Sequence, residues 1–160
     1  KKKITSAKLY MKKAGAPSGT GYAKLYAHTG TYGSNGKPTG DPLATSEGFD
    51  VSDLTAEYQL ITFNFTGEEQ YEMQTDTYYC IVFETPASGS IDDDNHPIVG
   101  YDSSSPTHDG NYCAYSFNQW GYSSTNDCIF YVYADVVAPP AGGMGAKPPI
   151  MELLLAGVLD

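Results

Sequence analysis

The side chains able to do chemistry in this 160-residue chain are few, and the densest group is Asp92-Asp93-Asp94-Asn95-His96. Asp102, His108 and Asp109 follow closely in sequence. Carboxylate and amide oxygens in such a run are the hard ligands Ca²⁺ takes, which makes Asp92, Asp93, Asp94 and Asn95 a candidate calcium site. Read instead as a charge run, the same residues are a solvated acidic loop. The run is not an EF-hand, because Pro97 stands where that loop needs glycine and no glutamate closes the twelve-residue spacing. His96, His108 and Asp109 could join at a transition-metal site, but no Cys-x-x-Cys or His-Glu-x-x-His spacing supports one.

Nucleophilic catalysis finds less. The chain has no Gly-x-Ser-x-Gly elbow and no glycine-rich phosphate loop ahead of a helix. Glu68 and Glu69 are adjacent, whereas glycoside hydrolysis needs two carboxyls facing each other across a cleft. No catalytic residue is expected. Rings are abundant: fourteen tyrosines and one tryptophan. Trp120, Tyr122, Tyr112 and Asn118 combine aromatic faces with amides, as a sugar platform would, since an amphipathic ring supplies apolar area with a hydrogen-bonding tip. The lone Trp120 is more simply read as core or loop packing.

Three cysteines, Cys80, Cys113 and Cys128, allow one internal disulfide and leave one thiol over. If 111–117 and 127–135 pair as a hairpin centred on Trp120 and Gly121, Cys113 and Cys128 face each other and can be bridged. The alternative is three small buried side chains. His28, at the end of a predicted strand, reads as an exposed polar residue. Asn64-Phe65-Thr66 fits a glycosylation sequon that matters only in a secreted eukaryotic setting.

These residues must be positioned by strands. With 17 Gly, 10 Pro, 14 Tyr and no Arg, the composition favours short strands and turns, and the length suits one domain. Ala7, Leu9 and Met11 alternate with Lys8, Tyr10 and Lys12, and Ala23, Leu25 and Ala27 alternate with Tyr22, Lys24 and Tyr26. The two strands are separated by a turn over 14–19 and are expected on the sheets of one core. Ile61, Phe63 and Phe65 face opposite to Tyr58, Leu60 and Thr62, as in a central strand. Further strands are predicted at 77–84, 97–101, 111–117 and 127–135, about eight in all. Residues 29–42, rich in Gly, Asn, Pro, Thr and Asp, read as a long exposed loop.

The formal charge is −10, which disfavours nucleic acid and anionic membrane surfaces. Six of the nine lysines lie in the first thirteen residues, either guarding an edge strand or meeting an acidic neighbour. No signal peptide is visible and Lys1 replaces an initial Met, so the chain reads as a processed or excised product. A composition break at Val137 opens a Pro/Gly-rich linker, 138–149, which delivers an apolar tail too short to span a bilayer. In that tail Ile150, Met151, Leu153, Leu154, Leu155, Val158 and Leu159 could add to a neighbour's sheet or fill its groove.

Leu9-Tyr10-Met11-Lys12-Lys13-Ala14-Gly15-Ala16-Pro17-Ser18-Gly19, Pro42-Leu43-Ala44-Thr45-Ser46, Ser52-Asp53-Leu54-Thr55, Thr77-Tyr78-Tyr79-Cys80-Ile81-Val82 and Asp127-Cys128-Ile129-Phe130-Tyr131-Val132-Tyr133 occur in this order. The ordered set resembles a jelly-roll module recurrent in bacterial and archaeal surface proteins of the choice-of-anchor group and in phage tail-associated proteins. The resemblance implies a β-sandwich appended to larger assemblies, with no catalytic residues to carry over. The cysteines and the C-terminal tail depart from its pattern.

The expectation is therefore an all-β, jelly-roll-like antiparallel sandwich over 1–137, a linker and a docking tail over 150–160. Its expected role is a non-catalytic structural or adhesive subunit of an extracellular, cell-surface or virion assembly, with copies of itself as partners and no membrane span. The alternative is a carbohydrate-binding module for surface glycans, with loop aromatics and calcium; otherwise no cofactor is expected.

Overall fold

A computed structural model describes residues 1–86, 89, 91–102, 110–116, 119–123 and 125–137. The linker over 138–149, the tail residues Ile150, Met151, Leu153, Leu154, Leu155, Val158 and Leu159, and also Asn118, His108 and Asp109, lie outside the described residues. In chain order the strands are β1 (Lys2–Ala14), β2 (Thr20–Thr29), β3 (Lys37–Thr45), β4 (Phe49–Asp50), β5 (Gln59–Asn64), β6 (Glu72–Met73) and β7 (Tyr79–Glu84). They continue with β8 (His96–Val99), β9 (Tyr101–Asp102), β10 (Tyr112–Ser116), β11 (Gln119–Ser123), β12 (Asp127–Cys128) and β13 (Phe130–Val136). No α-helix occurs among the described residues; single 3₁₀ turns at Val51–Asp53 and Gly67–Glu69 are the helical elements there. The fold is all-β and sandwich-like, and more finely divided than the eight strands expected.

Two antiparallel sheets are each organised around an early strand. β1 pairs with β13 over Lys2 to Leu9 and with β8 over Met11 to Ala14. On its other edge it pairs with β6 at Lys2 and Lys3 and with β5 from Ser6 to Met11. Because β13 and β5 share partners on β1, they must lie on opposite edges of it, and β1 is the central strand. The expectation that the N-terminal lysines guard an edge strand is thereby overturned: from Lys2 to Met11 β1 has backbone partners on both sides, and beyond it Lys13 donates to the Thr55 carbonyl on the side away from β8. In the second sheet β2 is central, with β3 and β4 on one edge and β7 on the other.

The core lies between these sheets. Ala7, Leu9 and Met11 of β1 and Ile61 and Phe63 of β5 pack against Ala23 and Leu25 of β2, Ala44 of β3 and Tyr79 of β7. Phe63 meets Phe49 and Phe83 at ring-centroid distances of 5.9 and 5.8 Å, one of the contacts that join the layers. The alternation read from sequence therefore holds on β1, β2 and β5, where a buried face and a wet face demand period two.

Two expectations fail. Residues 37–42 are not loop: β3 starts at Lys37, with Pro38 buried, because its backbone completes the open edge of β2 from Thr29 back to Lys24. Thr39, Gly40, Asp41 and Pro42 remain exposed, as a loop would be. The hairpin centred on Trp120 and Gly121 is also not formed. β10 pairs instead with β11, Tyr112 opposite Ser123, while β12 pairs with β9 and β13 with β1. Cys113 therefore faces Tyr122 and Cys128 faces Tyr101, so the arrangement that would have set the two cysteines opposite each other is absent. All three cysteine side chains are thiols, with Cys80 buried and the other two half-buried.

Candidate functional site

A β-bulge sets the face that β1 shows to solvent. Ile4 opposes Ala134 and Ser6 opposes Tyr133, which leaves Thr5 as an extra residue. Its hydroxyl donates to the Tyr133 carbonyl at 3.1 Å, and its carbonyl accepts from the Phe65 amide at 2.9 Å. Ile4 is buried, and so are Ala7, Leu9 and Met11, an even position followed by odd ones. Only an extra residue between them allows that change of parity. From Ser6 onward the outward side chains are thus Ser6, Lys8, Tyr10 and Lys12.

Residues opposite one another in antiparallel strands share a face. Lys8 lies between Tyr131 and Thr62, Ser6 between Tyr133 and Asn64, Tyr10 beside Leu60, and Lys12 beside Ile98. Tyr58, immediately before β5, stacks on Tyr10 with centroids 4.9 Å apart and planes 15° off parallel. Gly100 makes room for this pair: a Cβ there would come within 3.0 Å of the Tyr10 ring and 3.1 Å of the Tyr58 ring. The Lys12 ammonium sits 4.6 Å from the Tyr58 centroid, and that of Lys8 sits 5.2 Å from the Tyr133 centroid.

The result is a face of tyrosine rings and ammonium groups across three strands, with Leu60, Tyr131 and Tyr133 each nearly half exposed. Among the described residues the ion pairs join Lys1 to Glu72 and Lys24 to Glu84, so Lys8 and Lys12 are held over rings and not by carboxylates. Beside the bulge is a shallow open depression of about 370 Å³, lined by Thr5, Ser6, Lys8, Tyr133, Ala134 and Asp135. Nothing in the sequence reading singled out Tyr131, Tyr133 or Tyr10 as site residues. The signal was the alternation Phe130-Tyr131-Val132-Tyr133-Ala134, in which rings occupy the polar phase.

The ring platform expected from Trp120, Tyr122 and Tyr112 is divided. On the β10–β11 ribbon, Trp120 opposes Tyr115 with centroids 5.2 Å apart, and Tyr122 opposes Cys113 on the same face. Tyr112 points to the other face, 6.0 Å from Tyr101. Burial pushes the Tyr112 phenol up, reinforced by the Cys128 and Cys113 thiols nearby. Tyr115 and Tyr122 are more than half exposed, so the ribbon presents Tyr115, Trp120 and Tyr122 as a second, smaller aromatic face.

The acidic run is folded into a turn. One Asp92 carboxylate oxygen accepts from the backbone amides of Asp94 and Asn95 and from the Asn95 side chain, at 2.8 to 2.9 Å. The Asn95 amide, followed by the backbone donors, holds the Asp92 carboxyl below its ordinary range. The Asn95 side-chain oxygen accepts from the Ala16 amide at 2.8 Å, which pins the turn between β1 and β2. Two of the oxygens proposed for calcium are therefore engaged by N–H donors. No group of three His, Cys, Asp or Glu side chains able to hold a metal occurs among the described residues.

His28 is not simply exposed. Among the described residues its Nε2 is enclosed without a hydrogen-bond partner, and a Cβ on Gly36 would collide with it. Burial pushes the imidazole pKa below its ordinary value. Asn111 fixes Gly36, accepting from its amide at 3.1 Å and donating to its carbonyl at 2.9 Å. Tyr78 packs between His28 and Tyr32, the two tyrosines stacked at 4.4 Å. No helix among the described residues is long and apolar enough to cross a membrane.

Searches for relatives return nothing to set beside this geometry: no protein family, no curated protein and no solved structure matches the chain.

Proposed function

We propose that the chain is a non-catalytic adhesive or structural module that works by laying the outward face of its β1 sheet against a partner. The observation that carries this reading is the exposure, on one sheet face, of Leu60, Tyr131, Tyr133 and the Tyr10–Tyr58 stack, with Lys8 and Lys12 among them. Rings with hydroxyl tips can leave water at a contact without stranding a polar group, which is why they are concentrated at recognition surfaces. A Leu60→Asp, Tyr133→Asp double variant tests it. Both side chains face solvent, so the unfolding midpoint should be retained while retention on polysaccharide surfaces or concentration-dependent self-association is lost. If variant and parent behave alike in both assays, the reading fails. Joining neighbouring copies through residues 150–160 belongs to the same reading; removal of residues 138–160 should then reduce oligomer size.

A second reading is favoured by the β10–β11 ribbon, whose Tyr115, Trp120 and Tyr122 share one face as a small sugar platform would. Loss of glycan-array signal in Trp120→Ala is the outcome it requires.

A further inference from the structure

The outward face of the β1 sheet combines three properties that narrow what it can hold. The first is its charge. None of the nineteen carboxylates of the chain lies in the first thirteen residues, where six of nine lysines fall. On this face the carboxylates nearest in register are Asp135 of β13 and Glu72 of β6, which flank Lys3, and none stands opposite Ser6, Lys8, Tyr10 or Lys12. Lys8 and Lys12 are four residues apart on one strand, which separates them by roughly 13 Å. Their ammonium groups rest on tyrosine rings, a contact that positions a cation without neutralising it.

The second property is shape. The concavity on this face is an open depression, and Tyr131 and Tyr133 on β13 face Tyr58, just ahead of β5, across strand lines roughly 10 Å apart on either side of β1. An extended ligand fits such a surface better than a small enclosed one. The third is polarity. Lysines are depleted from the middle of protein interfaces because their water must be stripped away, and an uncompensated buried charge is costly. A hydrated polymer does not impose that cost. The overall charge of −10 opposes any polyanion alike, so attraction rests on the local lysines, and nucleic acid is disfavoured by the absence of arginine, the residue best matched to phosphate.

Resting on the adhesive reading above, we propose that this face binds an acidic polysaccharide. Its sugar rings lie on Tyr131 and Tyr133 and against the exposed edge of the Tyr10–Tyr58 stack, and its anionic groups meet Lys8 and Lys12. The rings supply flat apolar area and hydroxyl tips, and the ammonium groups select for acid over neutral polymer.

Affinity electrophoresis of the full chain through gels carrying polygalacturonate, dextran or oligo-dT is the test, with sedimentation velocity run in parallel. Polygalacturonate should retard the parent far more than dextran or oligo-dT, and added salt should weaken the effect. Lys8→Gln with Lys12→Gln should lower the polygalacturonate affinity tenfold or more with the unfolding midpoint unchanged, and Lys8→Arg with Lys12→Arg should retain it. Tyr131→Ser with Tyr133→Ser should lose retardation in the same gels. Equal retardation by dextran, stronger retardation by oligo-dT, or indifference to the lysine substitutions overturns the proposal. So does loss on Trp120→Ala with the lysine variants intact, which moves binding to the ribbon. If no polysaccharide retards the parent but the lysine or tyrosine variants abolish self-association, the ligand class is wrong while the adhesive role of the face survives.

Discussion

His28 shows how a single enclosed atom sets a pH response. Among the described residues its Nε2 has neither solvent nor a hydrogen-bond partner, so the neutral imidazole is the form the fold accepts, and burial takes its pKa below the ordinary value of about 6.5. A base depressed on folding contributes stability that is complete above its unfolded pKa and is lost as the pH falls from there toward the folded value. The urea midpoint should therefore decline as the pH falls from neutrality to about 5, before the carboxylates begin to protonate. His28→Phe should flatten that decline; a variant with the same slope as the parent would exclude His28 as its source. Asn95 is a second case. Asn95→Ala removes the acceptor for the Ala16 amide and a donor to Asp92, and should cost about 1–2 kcal/mol in a denaturant titration. Neither role was legible from sequence, where His28 read as exposed and Asn95 as a calcium ligand. Enclosure and turn closure depend on residues far away, Gly36 and Asn111 for His28 and Ala16 for Asn95.

At the scale of elements, alternation made β1, β2 and β5 readable, because one face of each is buried and the other is wet. β3 gave no such signal: Pro38, Gly40, Asp41 and Pro42 have no period, and the strand exists because the edge of β2 needs hydrogen-bond partners. The β10–β11 ribbon was misplaced for a related reason. Two stretches rich in β-formers can be folded about several centres, and the competing pairings of β12 with β9 and of β13 with β1 decide which is used. The bulge at Thr5 went unseen as well, although it determines which side chains reach the candidate face. Deleting Thr5 should force a choice between burying Ile4 and burying Ala7, Leu9 and Met11. Loss of the cooperative thermal transition is expected, whereas Thr5→Ala, which keeps the register and removes only the hydroxyl bond to Tyr133, should melt within a few degrees of the parent.

For the whole molecule, the central strand of one sheet is completed by the last described strand, so β1 waits on β13 across more than a hundred residues. Such long-range pairing makes folding slow and places it late. A chain ending at residue 129 should lose near-ultraviolet circular dichroism and cooperative unfolding, because the edge of β1 from Lys2 to Leu9 would have no partner. The distribution of charge was half legible at this scale. The lysine-rich first thirteen residues stood out in sequence, but their assignment to an edge was wrong, since edge and centre are properties of topology.

That placement also governs how the domain would answer to tension. Lys2 lies directly opposite Val136, so a pull between these two ends opens the β1–β13 ladder from one side, a rung at a time. A pull between Lys2 and a ligand held on the outward sheet face instead drags β1 lengthwise, and its hydrogen bonds, which run across the strand to both neighbours, must give way together. The same domain would thus be compliant when stretched end to end and stiff when anchored through its tyrosine face.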